Sequence, residues 1–156
     1  TAFYTLSLHD ALPISPTVMD FAVMAEHGSM LNTPPTFGIY LAGLIFKHLK
    51  AQGGLAAVEA LNVAKARLLY DAIEASAGFY RNPVAPACRS RMNVPFTLAD
   101  PALDADFLAA TAERQLVGLK GHKSVGGMRA SIYNAMTLEG VAALVELMQD
   151  FAARKA

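Results

Sequence analysis

Gly118, Gly121, Gly126 and Gly127 punctuate a stretch that then breaks into strict two-residue alternation, Met128, Ala130 and Ile132 against Arg129, Ser131 and Tyr133. Alternation of this kind belongs to a strand with one face covered and one face open. The glycines before it admit positive φ and close backbone approach, so the loop can fold around something small. His122, Lys123 and Arg129 place cationic groups in this one loop-and-strand unit. An arginine on a strand beside such a loop can grip a carboxylate or phosphate through two parallel hydrogen bonds. The same residues also suit a plain connector followed by a solvated arginine. On their own they leave both readings open.

The covering layer has to come from helices. Phe37, Leu41, Leu44 and Ile45 recur at helical spacing after Thr33-Pro34-Pro35, and Gly53-Gly54 ends the run, which predicts a helix over 35–50. A second helix is expected over 55–76 with Val58, Leu61, Leu68, Leu69 and Ile73 buried. A third over 103–117 carries Phe107, Leu108, Ala112 and Leu116. A last one, capped by Thr137, carries Leu138, Val141, Leu144, Val145, Met148 and Phe151. Residues 17–25 read as a strand end and turn, and 79–87 as a proline-marked loop or edge segment. Residues 89–98 read as an extended segment that Pro95 demotes to an edge strand or one with a bulge. The sum is an α+β, two-layer unit with helices packed on one side of a small sheet.

Composition narrows the partners. With 54% hydrophobic and 17% charged residues in 156, the chain is core-forming. Lys+Arg 13 against Asp+Glu 13 leaves no basic surplus for nucleic acid or an anionic membrane. The apolar run 37–46 is far short of the ~18 residues of a spanning helix, and no basic-then-apolar signal opens the chain. No residue set suggests a metal site. Cys88 is the only cysteine, so it is read as a buried structural thiol in a reducing, cytoplasmic setting. His48 is read as a cation at a helix C-terminus, and Arg89 and Arg91 as a solvated strand face.

Residues 1–15 stand apart. They lack a sustained period, and Tyr4-Thr-Leu-Ser-Leu-His-Asp-Ala-Leu-Pro-Ile-Ser15 resembles a translated sequencing-adapter read, so a non-native leader is expected here. His9 and Asp10, an apparent acid–base pair, then carry no chemistry.

From Pro16 onward, Asn32-Thr-Pro-Pro-Thr-Phe37, Arg89-Ser-Arg-Met-Asn-Val-Pro-Phe96 and Lys120-Gly-His-Lys-Ser-Val-Gly-Gly-Met-Arg-Ala-Ser-Ile-Tyr-Asn-Ala-Met136 resemble the phosphoserine aminotransferases in order and spacing. The resemblance implies the C-terminal small domain of a homodimeric pyridoxal 5'-phosphate enzyme of the aspartate-aminotransferase-like fold. It assigns 16–32 to the tail of the large cofactor-binding domain, and 33–156 to an interdomain helix and the small domain. The implied reaction interconverts 3-phosphohydroxypyruvate and glutamate with O-phosphoserine and 2-oxoglutarate, in serine biosynthesis and in some bacteria pyridoxine biosynthesis. By the same resemblance Arg129 binds the substrate carboxylate, and His122 and Lys123 bind its phosphate. Lys123 stands where arginine is common in the family, which replaces a planar fork by a point charge. Asn32 and Thr33 match the pair that reaches the cofactor phosphate of the other subunit, and a position at a helix start suits an anion.

The family's covalent anchor lysine and the acid for its pyridine nitrogen belong to the large domain. None of Lys47, Lys50, Lys65, Lys120, Lys123 and Lys155 lies in the anchor motif. The chain is therefore expected to hold substrate groups and to be inactive alone, as a truncated enzyme with no catalytic residue of its own. The alternative is a stand-alone, non-catalytic α+β module for a small phosphorylated or carboxylated metabolite.

Overall fold

The computed structural model describes residues 16–155; the expected non-native segment 1–15, with His9 and Asp10, lies outside them. The chain divides into two compact units, the first running to His48 and the second beginning at Leu49.

In the first unit a 3-10 turn, Thr17–Met19, precedes helix α1, Phe21–Glu26, where the sequence suggested a strand end. The reason is a cap. The Asp20 carboxylate accepts from the N–H groups of Ala22 (2.9 Å) and Val23 (3.4 Å), satisfying donors that the first turn leaves free. Gly28, at φ 56°, closes the helix. Helix α2, Thr36–Ala51, follows as expected within one residue, but it buries nothing: Phe37, Tyr40, Leu41, Ile45 and Phe46 are all exposed.

The second unit holds the core. Helix α3, Gly54–Ala75, leads to strand β1, Tyr80–Arg81, then a 3-10 turn at Pro86–Cys88 and strand β2, Asn93–Leu98. Helix α4, Asp104–Glu113, strand β3, Met128–Ser131, and helix α5, Leu138–Lys155, complete it. The sheet is antiparallel in the order β1-β2-β3, with Val94 opposite Ala130 and Phe96 opposite Met128. Val94, Phe96, Leu98, Met128, Ala130 and Ile132 point inward to one core with Leu69, Ile73, Leu144, Met148 and Phe151, so the helices cover a single sheet face. The predicted α+β arrangement is what forms. No helix among the described residues is long and apolar enough to cross a membrane.

Several local readings are corrected. Pro95 sits in the central strand, opposite Arg129 in an unbroken register, neither at an edge nor at a bulge. In an antiparallel ladder a residue's N–H and C=O point to the same side, and on that side of Pro95 strand β1 has already ended. The Asn82 amide donates to the Pro95 carbonyl there (2.6 Å), so the missing N–H takes nothing from the pairing with β3. Residues 89–92 stay outside the strand. Arg89 is no solvated side chain: it pairs with Glu74 and lies over the Tyr70 ring, 4.7 Å from its centroid, while Arg91 pairs with Glu59 at 2.6 Å. Cys88 is exposed, because its 3-10 turn rides on the surface. Leu61 and Leu138 are exposed; the stripe of α3 is rotated by one position, onto Asn62, Lys65, Ala66, Leu69, Tyr70 and Ile73.

Helix α4 stops at Glu113, short of the predicted 117. Leu116 N–H donates to Thr111 C=O and Gln115 N–H to Ala112 C=O, a Schellman closure with Gln115 at φ 60° in the place usually taken by glycine. Gln115→Gly should therefore raise the unfolding free energy by the roughly 1–2 kcal/mol of left-handed strain it relieves, less the ~0.4–1 kcal/mol that glycine's extra freedom returns to the unfolded chain. Urea denaturation followed by circular dichroism checks it.

Candidate functional site

Strand β3 lays Arg129 and Ser131 on the uncovered sheet face, both exposed, and Tyr133 continues the same row. The Asn93 amide of β2 donates to the Tyr133 hydroxyl (2.7 Å), and Ser131 Oγ donates to Asn93 Oδ1 (3.1 Å). Directly across from Arg129 is Pro95, which offers no side-chain acceptor. Among the described residues Arg129 has no ion pair, whereas Arg67, Arg89, Arg91, Arg114 and Lys155 each pair with a carboxylate. A guanidinium held on a rigid strand without a partner is available to an incoming anion.

Charge reinforces that availability. Residues 115–138 contain Lys120, Lys123, Arg129 and His122 and no Asp or Glu, although the whole chain is charge-balanced. Like charges gathered on one surface unit raise the local potential for an anion.

The loop preceding β3 is not a cradle. Gly121 N–H donates to Gly127 C=O (2.8 Å), Lys120 bridges to Met128, and Arg129 N–H donates to Leu119 C=O (2.7 Å), so the segment zips onto the outer edge of β3. A Cβ on Gly121 would fall on the carbonyl of Gly126, and one on Gly127, at φ 60°, would press on Thr97 and the Phe96 carbonyl. The glycines serve backbone against backbone, and the loop surrounds nothing. His122 and Lys123 stand exposed at its tip, and Arg129 lies two residues beyond its closing glycine. The cavities of about 300, 250 and 290 Å³ that the second unit contains are lined by none of these three. The candidate groups stand exposed, outside these cavities, on one loop-and-strand segment.

His122 is pre-set. Its Nδ1 faces Ser124 Oγ at 2.6 Å and the Ser124 N–H at 3.3 Å, and a backbone N–H can only donate. Nδ1 is thus the acceptor, and the imidazole proton sits on Nε2, free to donate outward. Asn32 and Thr33 lie in the first unit, exposed in the loop ahead of α2. They do not cap it: the Thr36 hydroxyl bonds to the Pro34 carbonyl instead (3.1 Å).

Sequence reading passed over Asn62 and Lys65, which the structure buries. Lys65, 0% exposed, donates to the carbonyls of Ile132 (3.3 Å), Tyr133 (2.8 Å) and Met136 (2.9 Å), and burial holds its pKa below the ordinary lysine value. The signal was there. Carrying the Leu69–Ile73 stripe back by three and four residues lands on positions 62, 65 and 66. With its donors spent on carbonyls, Lys65 is closed to covalent chemistry. Lys47, Lys50, Lys120 and Lys123 line none of the three cavities, and Lys155 is paired with Asp106 at 2.9 Å. None of these lysines is enclosed and free, as a covalent cofactor anchor must be. No group of three or more His, Cys, Asp or Glu among the described residues could hold a metal ion.

Relatives carry the same unit. Phosphoserine aminotransferases of Aromatoleum aromaticum and Burkholderia vietnamiensis are 65% and 62% identical over 94% and 96% of this chain, which spans only 40% and 41% of their lengths. The solved phosphoserine aminotransferase of Bacillus circulans subsp. alkalophilus is similar at a TM-score of 0.84 and 44% identity, over 91% of this chain and 39% of that one. A pyridoxal-phosphate-bound one from Trichomonas vaginalis is similar at 0.78 and 46%, over 88% and 39%. The class-V aminotransferase model matches residues 14–144, from within the first unit through the cationic hairpin into α5. Because that match covers most of the chain, the whole sheet and the hairpin included, this chain belongs to the class-V aminotransferase family.

Proposed function

We propose that the chain is the substrate-anion half of a phosphoserine aminotransferase, which exchanges the amino group of glutamate with 3-phosphohydroxypyruvate. The observation that carries this reading is the unpaired Arg129 on an open sheet face, beside a hairpin free of acids. Arg129 takes the α-carboxylate as a two-pronged donor. His122, through Nε2–H, and Lys123, as a point charge, take the phosphate. Asn32 and Thr33 reach the phosphate of pyridoxal 5'-phosphate held by the other subunit of a homodimer. Residues 16–32 belong to the large domain, and 33–156 to the connecting helix and small domain. The setting is the cytoplasm, in serine synthesis and by extension pyridoxine synthesis.

The residues present do not fit the covalent anchoring of the cofactor, and no chemical step is assigned to them. Their work is to bind and orient. The chain supplied with pyridoxal phosphate, glutamate and 3-phosphohydroxypyruvate should form no O-phosphoserine, and borohydride should leave no lysine stoichiometrically modified. The same chain joined to the remaining N-terminal part of its Aromatoleum relative should catalyse the exchange. Turnover by the chain alone, or a silent chimera that binds the cofactor, would refute the reading.

A further inference from the structure

We infer that Lys65 is a positioning residue for the cationic face, locking the exit of β3 from beneath the sheet. This rests on the anion-binding reading proposed above.

Beyond Ser131 the backbone leaves the ladder and turns over residues 132–136 before α5, with Met136 N–H closing on Tyr133 C=O (2.9 Å). Carbonyls that leave a sheet without water or a strand partner need a donor. Lys65 supplies it to Ile132, Tyr133 and Met136. Three acceptors match the three N–H bonds of an ammonium, and a neutral amine would lack one of them. One helical turn away, the Asn62 amide donates to Asn134 Oδ1 (2.7 Å), so α3 holds the turn at a second point. Among the described residues no carboxylate pairs with Lys65. Its charge is satisfied by backbone dipoles alone.

The turn in question sets the outer row. Tyr133 is both a residue whose carbonyl Lys65 grips and the residue whose hydroxyl receives the Asn93 amide. Asn93 in turn receives Ser131, the neighbour of Arg129 along the same face. Backbone anchored on the helix side thereby fixes polar groups on the open side. Without the ammonium the buried Ile132 bond and the Met136 bond lose their donor and Tyr133 C=O keeps only the Met136 N–H, so the turn loses its hold on α3, swings toward water, and Tyr133 leaves Asn93.

The test compares Lys65→Met with Leu69→Ala, a purely apolar loss on the same buried stripe, in the full chain. Thermal melts measure stability, the Asn93 side-chain amide resonances report its bond to Tyr133, and titration with O-phospho-L-serine reports affinity. Lys65→Met should erase the hydrogen-bonded Asn93 signature and weaken binding roughly 10-fold, the scale for removing a group that orients a binding residue. Leu69→Ala, at equal or greater loss of Tm, should keep both. If Lys65→Met does not fold, Lys65→Gln is read instead, with a partial loss of both expected. The inference is overturned if the folded Lys65 variant keeps the Asn93 signature, or if Leu69→Ala moves it as far. Failure of the unsubstituted chain to bind O-phospho-L-serine would defeat the proposed function alone; the Asn93 signature would still decide the role of Lys65.

Discussion

Phe107→Ala should lower the unfolding free energy by about 3–5 kcal/mol, the range for emptying a closed aromatic site. Phe107 is 0% exposed on α4, and its ring meets Tyr80 of β1 at 5.8 Å, Phe96 of β2 at 6.0 Å and Phe151 of α5 at 5.2 Å, each edge-on. Those partners come from separate elements, so no single movement can refill the space. Tyr80 resists collapse further, since its hydroxyl is already committed to the Met148 carbonyl at 2.9 Å. Burial also pushes its pKa well above the ordinary tyrosine value. Edge-to-face pairs add roughly 0.5–1.5 kcal/mol each beyond area burial. Urea unfolding of the substituted chain measures the loss. A value under about 1 kcal/mol would mean that the ring is not the junction of these elements.

Arg129→Met should weaken O-phospho-L-serine binding by roughly 10- to 100-fold, the equivalent of about 1.5–3 kcal/mol for a hydrogen-bonded charged group. It should do so without a change in Tm, because the guanidinium is exposed and holds no partner among the described residues. Arg129→Lys should recover part of the affinity, since an ammonium supplies charge but not the two parallel donors. Isothermal titration with each variant reads both effects. Equal affinity for the unsubstituted and Met chains would remove Arg129 from the site.

What could be read in advance followed from periodicity and glycine. The Met128–Ala130–Ile132 alternation showed which face of β3 is covered, and Gly53-Gly54 marked the break between α2 and α3 to within a residue. Where the physics used other residues, the reading failed. Gln115 and Ala77 occupy left-handed backbone at helix ends, where side-chain identity leaves little trace. Asn62 and Lys65 were passed over because polarity masked their place on a buried stripe, and their acceptors lie about seventy residues downstream. Pro95 misled because the shortness of β1, which leaves its N side unpaired, is a tertiary fact. The site residues were legible as types, but the loop's self-contact was not. It depends on which carbonyls the Gly121 and Gly127 backbones meet.

The account turns on whether the open face binds a molecule that is both a carboxylate and a phosphate. Amide and side-chain nitrogen spectra of the chain, titrated with O-phospho-L-serine and separately with L-serine, measure that directly. The account predicts saturable shifts confined to residues 121–131 and Asn93 with the phosphorylated ligand, and none of that size with L-serine. Equal shifts for both ligands, or shifts that avoid His122, Lys123 and Arg129, would contradict it.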